Sequence, residues 1–113
     1  MVERCLDLPG TEADFPFGPD TMTIRVGGKI FAFVPVAESA ATVSLKGDPE
    51  DNIELRRTYP SVTGAYHLNK RHWNGVPLDG AVPDDEIHFL IGQSHRLAAA
   101  GLSRRRRVEL GIE

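Results

Sequence analysis

The segment YHLNKRHW, residues 66–73, holds the densest set of side chains that could do chemistry in this sequence. Lys70 and Arg71 are fixed cations of the kind that contact phosphates, and the Asn69 amide can bond to phosphates or base edges. Two imidazoles and two aromatic rings complete the segment. The pattern predicts an anion- or nucleic-acid-binding surface whose candidate residues are Lys70, Arg71, Asn69, His67 and His72.

A structural interpretation of the same segment stays open. Tyr66 and Trp73 can anchor a loop onto a sheet while the charged side chains between them are simply solvated. A single Trp in a small domain usually packs inside the protein. We therefore predict that Tyr66 and Trp73 are scaffold and that the cations are functional.

Cations elsewhere in the chain could extend this surface. Arg25 lies on a predicted hairpin, and the C-terminal part contains a run of four consecutive arginines. The run could bind a second phosphate, or it could solubilise a tail and neutralise the negative end of the preceding helix. The added candidates for phosphate contact are Arg25, Arg104 and Arg105, with Arg106 and Arg107 completing the run.

No pattern in the sequence predicts a metal centre or a catalytic site. His67 and His72 are five residues apart, and neither a CxxC nor an HExxH motif is present. The single cysteine, Cys5, has no catalytic partner nearby in the sequence. We predict no metal, no cofactor and no enzymatic activity.

Length and composition are those of one globular domain. The 113 residues are 41% hydrophobic and 26% charged, which suits a single core. One cysteine excludes an intrachain disulfide. No signal sequence or membrane span is apparent, so we expect a cytoplasmic monomer without a membrane partner. The domain should cover residues 1–113, with a basic tail from about residue 103.

The charge distribution is uneven along the chain. The net charge of −3 argues against a histone-like protein that binds by bulk positive charge. Residues 1–60 carry six Lys/Arg against ten Asp/Glu, whereas residues 61–113 carry seven against six and all four histidines. An anionic partner should therefore meet the second half.

A β-hairpin is the clearest of the elements that must position these side chains. The runs TMTIRV and KIFAFV flank Gly27-Gly28, the residue type that a two-residue turn with positive φ requires. A regular register would pair Ile24 with Phe31. It would also place four apolar side chains on one face and Thr23 and Arg25 on the other, the four being Met22, Ile24, Phe31 and Phe33.

The remaining elements alternate between strands and helices. Asp48 and Pro49 are typical of a helix start, and the long helix should bury a stripe of residues at helical spacing. That stripe is Ile87, Leu90, Ile91, Ser94, Leu97, Ala98 and Gly101. The predicted elements are a helix over 3–8, an extended segment over 11–20, a strand over 42–46, a helix over 48–58, a strand over 73–78 and a helix over 83–101. They imply an α+β fold, an antiparallel sheet with helices packed on one face.

Five pieces of the sequence, in order, resemble the MmcQ/YjbR family: LPGTEADFPFGPD, VGGKIFAFV, VSLKGDPE, YPSVTGAYHLNKRHW and LDGAVPDDEI. The resemblance implies a two-layer fold similar to that of the bacterial frataxin homologue (YjbR/CyaY-like). Members are generally labelled DNA-binding, on the grounds of a proposed winged arrangement of helices and strands. The chain departs from the family in a short N-terminal helix and an unusually basic C-terminal segment.

The resulting functional prediction is weak, salt-dependent DNA binding through phosphate contacts in residues 66–73. The alternative is a protein-interaction or small-anion-binding module, with Tyr66, His67, Asn69 and Lys70 lining a pocket. A metal carrier is a third, less supported hypothesis.

Overall fold

The computed structural model describes residues 5–35, 42–65 and 68–112. Its strands form one six-stranded antiparallel sheet in the order β1-β2-β3-β4-β6-β5. The elements are β1 Thr11–Asp14, β2 Thr21–Val26, β3 Lys29–Pro35, β4 Thr42–Lys46, α1 Pro49–Thr58, β5 Thr63–Gly64, β6 Trp73–Pro77, α2 Asp84–Ala100 and α3 Arg104–Glu109. Helices α1 and α2 pack on the same face of the sheet, which confirms the predicted α+β fold.

The hairpin forms where it was predicted, but its register is not regular. Val26 pairs with Lys29 across a turn in which Gly27 and Gly28 have φ of 55° and 86°. A β-bulge between Ile24 and Arg25 then places Ile24 opposite Ala32, so the prediction that it pairs with Phe31 is wrong. The extra residue in β3 changes the side of the sheet on which the following side chains lie.

The bulge separates two phenylalanines that the sequence pattern placed together. Phe31 is fully buried on the helix-covered face, where its ring meets the His95 ring of α2 edge-on at 5.5 Å. Phe33 lies opposite Thr23 on the other face, which we call the open face because none of the described helices packs on it. The Phe33 ring there contacts Phe17 and Trp73.

Helix α2 supplies most of the helical contribution to the core, with a stripe slightly rotated from the predicted one. Ile87, Ile91 and Ala98 are buried as expected, whereas Leu97 is 36% exposed. His95 is buried instead, and its Nε2–H donates to the Pro9 carbonyl at 2.8 Å. The N-terminal segment is thereby joined to α2. Only residues 5–8 of the predicted first helix are described, and Cys5 and Leu6 are helical.

Helix α1 begins and ends as the sequence predicts. The Asp48 side chain accepts a hydrogen bond from the Glu50 amide at 3.0 Å, and Pro49 occupies the first turn. Glu54 and Arg57, three residues apart, form an exposed ion pair at 3.5 Å. Asn52 is the buried residue of this helix, and its hydrogen bonds hold α1 in place together with the partly buried Leu55.

The arginine run lies in the short helix α3, within the segment that the sequence predicts as a basic tail from about residue 103. Ser103 caps α3 by accepting from the Arg106 amide at 3.1 Å. Leu102 and Leu110 pack against Gly27 so closely that a Cβ there would lie 2.7 Å from Leu102 Cδ1. The C-terminal segment is thus docked beside the hairpin turn.

Burial makes Cys5 a pH-sensitive contributor to stability. Burial of the fully enclosed thiol raises its pKa from 9.0 to about 11. The thiol therefore ionises more easily in the unfolded chain than in the folded one. Its contribution to the free energy of unfolding is complete below pH 9 and is lost as the pH rises towards 11. We expect the free energy of unfolding to fall by about 2–3 kcal/mol over that interval.

The measurement is denaturant unfolding at both ends of the interval, with Cys5→Ala as the control for every other group that titrates. The wild type should lose more stability than Cys5→Ala as the pH rises, and its native thiol should react slowly with a soluble disulfide reagent. If the free energy of unfolding had the same pH dependence in both proteins, the claim that the buried Cys5 thiol stabilises the fold in its neutral form would be contradicted.

Candidate nucleic-acid interface

The strand register brings several cations to one end of the sheet, which we call the hairpin end. It contains the turn between β2 and β3, the last residue of β4 and the first residue of β6. Lys46 pairs with Trp73, and Leu45 pairs with Ala32, so the start of β3 lies at the same end. The cations at this end of the sheet are Lys29, Lys46, Lys70 and Arg71.

Residues 68–72 form a tight turn that presents its charged side chains outwards. The Asn69 side-chain oxygen accepts from the Arg71 amide at 2.9 Å, and the Asn69 carbonyl accepts from the Trp73 amide at 3.0 Å. Lys70, Arg71 and His72 are exposed. Asn69 is predicted to contact a ligand, and here its oxygen shapes the turn. Tyr66 and His67 lie outside the described residues.

Helix α1 holds this turn through backbone carbonyls. Asn52 Nδ2 donates to the carbonyls of Arg71 at 3.0 Å and Gly47 at 3.3 Å. Arg56 donates to the Lys70 carbonyl at 2.9 Å and to Asn74 Oδ1 at 3.0 Å. The backbone is therefore fixed, while the Lys70 and Arg71 side chains remain available.

The aliphatic part of the Lys70 side chain packs against the backbone of β5. It crosses Gly64 of β5 so closely that a Cβ at that glycine would lie 2.7 Å from Lys70 Cγ. The apolar stem lies on the backbone while the residue as a whole stays exposed, which is common for long cationic side chains. This contact restricts where the ammonium group can point.

Trp73 packs on the open face and not in the helix-covered core. Its ring centroid is 5.2 Å from that of Phe33, and Phe33 is in turn 6.1 Å from Phe17. Phe17 is 68% exposed, so this aromatic cluster reaches the surface. Trp73 thus anchors the strand that follows the 68–72 turn.

Arg25 is engaged within the sheet. Its guanidinium lies 3.4 Å from the Asp14 carboxylate and donates to the Gly28 carbonyl at 3.3 Å. A hydrogen bond from the Thr23 hydroxyl, helped by the charge of Arg25, lowers the pKa of Asp14. Any phosphate would compete with these contacts, so Arg25 is the weakest of the predicted candidates.

The arginine run lies beside the hairpin turn, and its own helix offsets part of its charge. Arg105 and Arg106 approach the Glu109 carboxylate at 3.5 and 3.4 Å. Arg107 donates to the Leu102 carbonyl at 2.5 Å. Arg104 and Arg105 are exposed at the start of α3. The run therefore extends the basic surface with less charge than four free arginines would carry.

Acidic side chains interrupt the hairpin end. Asp48, Glu50 and Asp51 follow Gly47 in the first turn of α1, next to the strand end that carries Lys46. Repulsion from these carboxylates should weaken the binding of any polyanion at the hairpin end. The arrangement suits a few phosphate contacts and not a long continuous track.

Sequence reasoning missed the residues that position the turn. Asn52 and Arg56 look like ordinary surface residues of a polar helix, and only their contacts across 19 and 14 residues reveal their role. Lys46 could have been found, because it ends a strand just before a helix cap.

The described residues offer neither a clustered metal site nor a membrane-spanning helix. Within residues 5–35, 42–65 and 68–112, no three His, Cys, Asp or Glu side chains form a group that could hold a metal ion. Over the same ranges, no helix combines the length and apolar character needed to cross a membrane.

Comparisons with known proteins agree on the family. The family model described as YjbR matches residues 6–97. The chain is 35% identical over 107 residues to the uncharacterised protein YjbR of Escherichia coli K12, covering 95% of this chain and 91% of that one. It is 34% identical over 100 residues to the uncharacterised protein YbdF of Escherichia coli O157:H7, covering 88% and 82%.

Solved structures extend the agreement to the fold. A Deinococcus radiodurans protein with the family-model domain DUF419 superposes with a TM-score of 0.90 at 36% identity, covering 98% of this chain and 85% of that one. A Pseudomonas syringae protein gives 0.65 at 30% identity, covering 78% and 86%. The predicted resemblance is confirmed, and this chain belongs to the YjbR family.

Proposed function

We propose that the protein binds the phosphate backbone of DNA weakly at its hairpin end, with Lys70 and Arg71 as the principal contacts. The observation that carries this proposal is the 68–72 turn, whose backbone is held by Asn52 and Arg56 while both cations face solvent. A fixed backbone reduces the entropy lost when the side chains engage a ligand.

The remaining charges determine the expected strength. Lys29, Lys46 and Arg104 can each add a phosphate contact. The acidic residues in the first turn of α1 repel phosphate groups and so reduce the affinity. With a net charge of −3, the protein cannot rely on bulk attraction. We expect affinity without sequence preference and with strong salt dependence, since phosphate contacts carry no sequence information.

The alternative of an anion pocket under the segment has less geometric support. Asn69 and Lys70 line neither the groove between α1 and α2 nor the shallow depression beside His88 and Arg96. A catalytic role likewise has no particular support, and the names of the relatives assign none. We therefore propose a binding protein and not an enzyme.

Charge reversal tests the proposal. The double variant Lys70→Glu/Arg71→Glu should lose at least about tenfold in affinity for a fluorescent duplex of about 20 base pairs at low salt. Two lost phosphate contacts should also reduce the slope of log affinity against log salt by about 2. Fluorescence anisotropy over a salt series measures both quantities.

The matched control is Arg57→Glu/Arg96→Glu, which changes the net charge equally at two exposed positions on helices α1 and α2. It should keep most of the affinity and the original slope. Equal losses in the two double variants would reduce the effect to overall charge, and retention of DNA binding by Lys70→Glu/Arg71→Glu would exclude this surface.

A further inference from the structure

A groove between α1 and α2 is a concave feature that begins beside Lys46 of the hairpin end. Its floor is the helix-covered face of the sheet, formed there by Leu45, Asn74 and Val76. The cavity has a volume of about 390 Å³. Asn52 and Arg56 hydrogen-bond α1 to the turn before β6 and to β6 itself, while Leu55 packs partly buried against the core.

The walls of the groove are two helical faces of matching length. On α2 the lining runs from Glu86 to Leu97, and on the other side it runs from Asp48 to Tyr59. Each span covers twelve residues, so its eleven helical rises extend about 16 Å, or three helical turns. Ser94 Oγ donates to the Lys46 carbonyl at 2.6 Å, which places the later part of α2 beside the start of α1. The groove is therefore elongated.

Apolar side chains along the groove are left in solvent. Phe89 is 53% exposed and Leu97 is 36% exposed. They lie eight residues apart on α2, about 12 Å along its axis, and form a ridge on one wall. Leu55 and Tyr59 face them from the opposite side of the groove. Exposed apolar surface beside a cavity is typical of a docking site.

The charged side chains that line the groove are mostly negative. Four carboxylates border it, those of Asp48, Asp51, Glu54 and Glu86, against the single cation of Lys46. Glu54 also meets Arg57 at 3.5 Å, but that pair is largely exposed and so contributes little. The rim should attract a cationic partner and repel an acidic one.

We propose that this groove binds a short amphipathic helix of a partner protein, with its apolar stripe on Phe89 and Leu97 and with Lys or Arg along its flanks. Three turns of helix match the length of both walls, and apolar side chains at positions i, i+3, i+4 and i+7 match their spacing. The chain's own α3 is a poor candidate from a second copy, because it has six residues and one exposed large apolar side chain, Val108.

The test uses a fluorescent peptide of about 14 residues, with leucines at i, i+3, i+4 and i+7 and lysines between them. We expect it to bind the full chain at least about tenfold more tightly than the same peptide with glutamates in place of the lysines. Phe89→Ser should weaken binding about tenfold or more, because it removes the central apolar contact. Asp51→Lys/Glu54→Lys should also weaken it, by reversing the rim charge.

Control variants separate the groove from general stickiness. Phe17→Ser removes an exposed phenylalanine that does not line the groove, and Asp7→Lys/Asp20→Lys makes the same charge change at exposed sites elsewhere. Both should bind the lysine peptide as the wild type does. Circular dichroism should show all variants folded, since every substituted side chain is exposed.

Several results would overturn the proposal. Equal affinity for the two peptides, or equal losses in the control variants, would remove the claimed specificity. A dimer that Phe89→Ser dissociates in sedimentation would assign the groove to a second copy of the chain. Binding of phenethylammonium that depends on Phe89, without peptide binding, would make the groove a small-amine site.

Discussion

The variant Asn52→Ala should lose about 2–4 kcal/mol of unfolding free energy, a large effect for a residue on a polar helix. The buried Asn52 side-chain amide donates to the Gly47 and Arg71 carbonyls, and the backbone carbonyl of Asn52 accepts from Asn74 Nδ2 at 3.2 Å. Removing the side chain leaves two backbone acceptors without their donor. Thermal or denaturant unfolding measures the loss.

Proteolysis gives a second measure of the same prediction. The Asn52→Ala variant should release the 68–72 turn, so trypsin should cleave after Lys70 and Arg71 faster than in the wild type. Asn69→Ala is the matched control, because it removes an exposed amide with one local hydrogen bond and should cost about 0.5 kcal/mol. Equal destabilisation by the two variants would contradict a clamping role for Asn52.

The two phenylalanines of β3 should respond very differently to truncation. Phe31→Ala should cost about 3–5 kcal/mol, because it empties a fully enclosed site against His95. Phe33→Ala should cost about 1–2 kcal/mol, because that half-buried ring packs on the open face against Phe17 and Trp73.

Denaturant unfolding of the two variants also tests the bulge. With a regular hairpin register both rings would lie on one face, and the two substitutions would have similar effects. A difference of less than about 1 kcal/mol between them would therefore argue against the bulge placing Phe31 in the core and Phe33 on the open face.

Helix α1 links the two surfaces proposed for this protein. Asn52 and Arg56 bind the backbone of the basic turn, while Leu55 and the acidic residues Asp51 and Glu54 line the groove. Polar contacts hold α1 to the turn while Leu55 packs partly buried against the core, so the helix presents different side chains to the two surfaces. The charge-reversal variants at Lys70 and Arg71 should leave peptide binding in the groove unchanged within about twofold, since neither residue lines it.

Local signals were sufficient for the hairpin and for helices α1 and α2, but they did not predict β5 or α3. The paired glycines of the hairpin, the Asp48-Pro49 helix start and the apolar spacing of α2 act within a few residues, and each produced the predicted element. The ordered motifs were also sufficient for the family, since the matched model spans residues 6–97. The choice of Lys70 and Arg71 as ligand contacts stays a prediction.

Contacts between distant parts of the chain decided the rest. The bulge at Arg25 adds one residue to β3, and no local signal revealed that it would turn Phe33 away from Phe31. The helix that contains the arginine run docks on the hairpin because Leu102 and Leu110, on either side of it, pack against Gly27. That glycine is over 70 residues away in sequence.

The segment of residues 66–73 illustrates both what the sequence determined and what the tertiary structure decided. Its composition determined that Lys70, Arg71 and His72 would be polar surface, because charged side chains are costly to bury. Only the tertiary structure decided that their backbone would be held by Asn52 and Arg56, and that an acidic, apolar-lined groove would open on the other side of the same helix. Those features depend on the separation and register of packed elements, which no local pattern of residue types specifies.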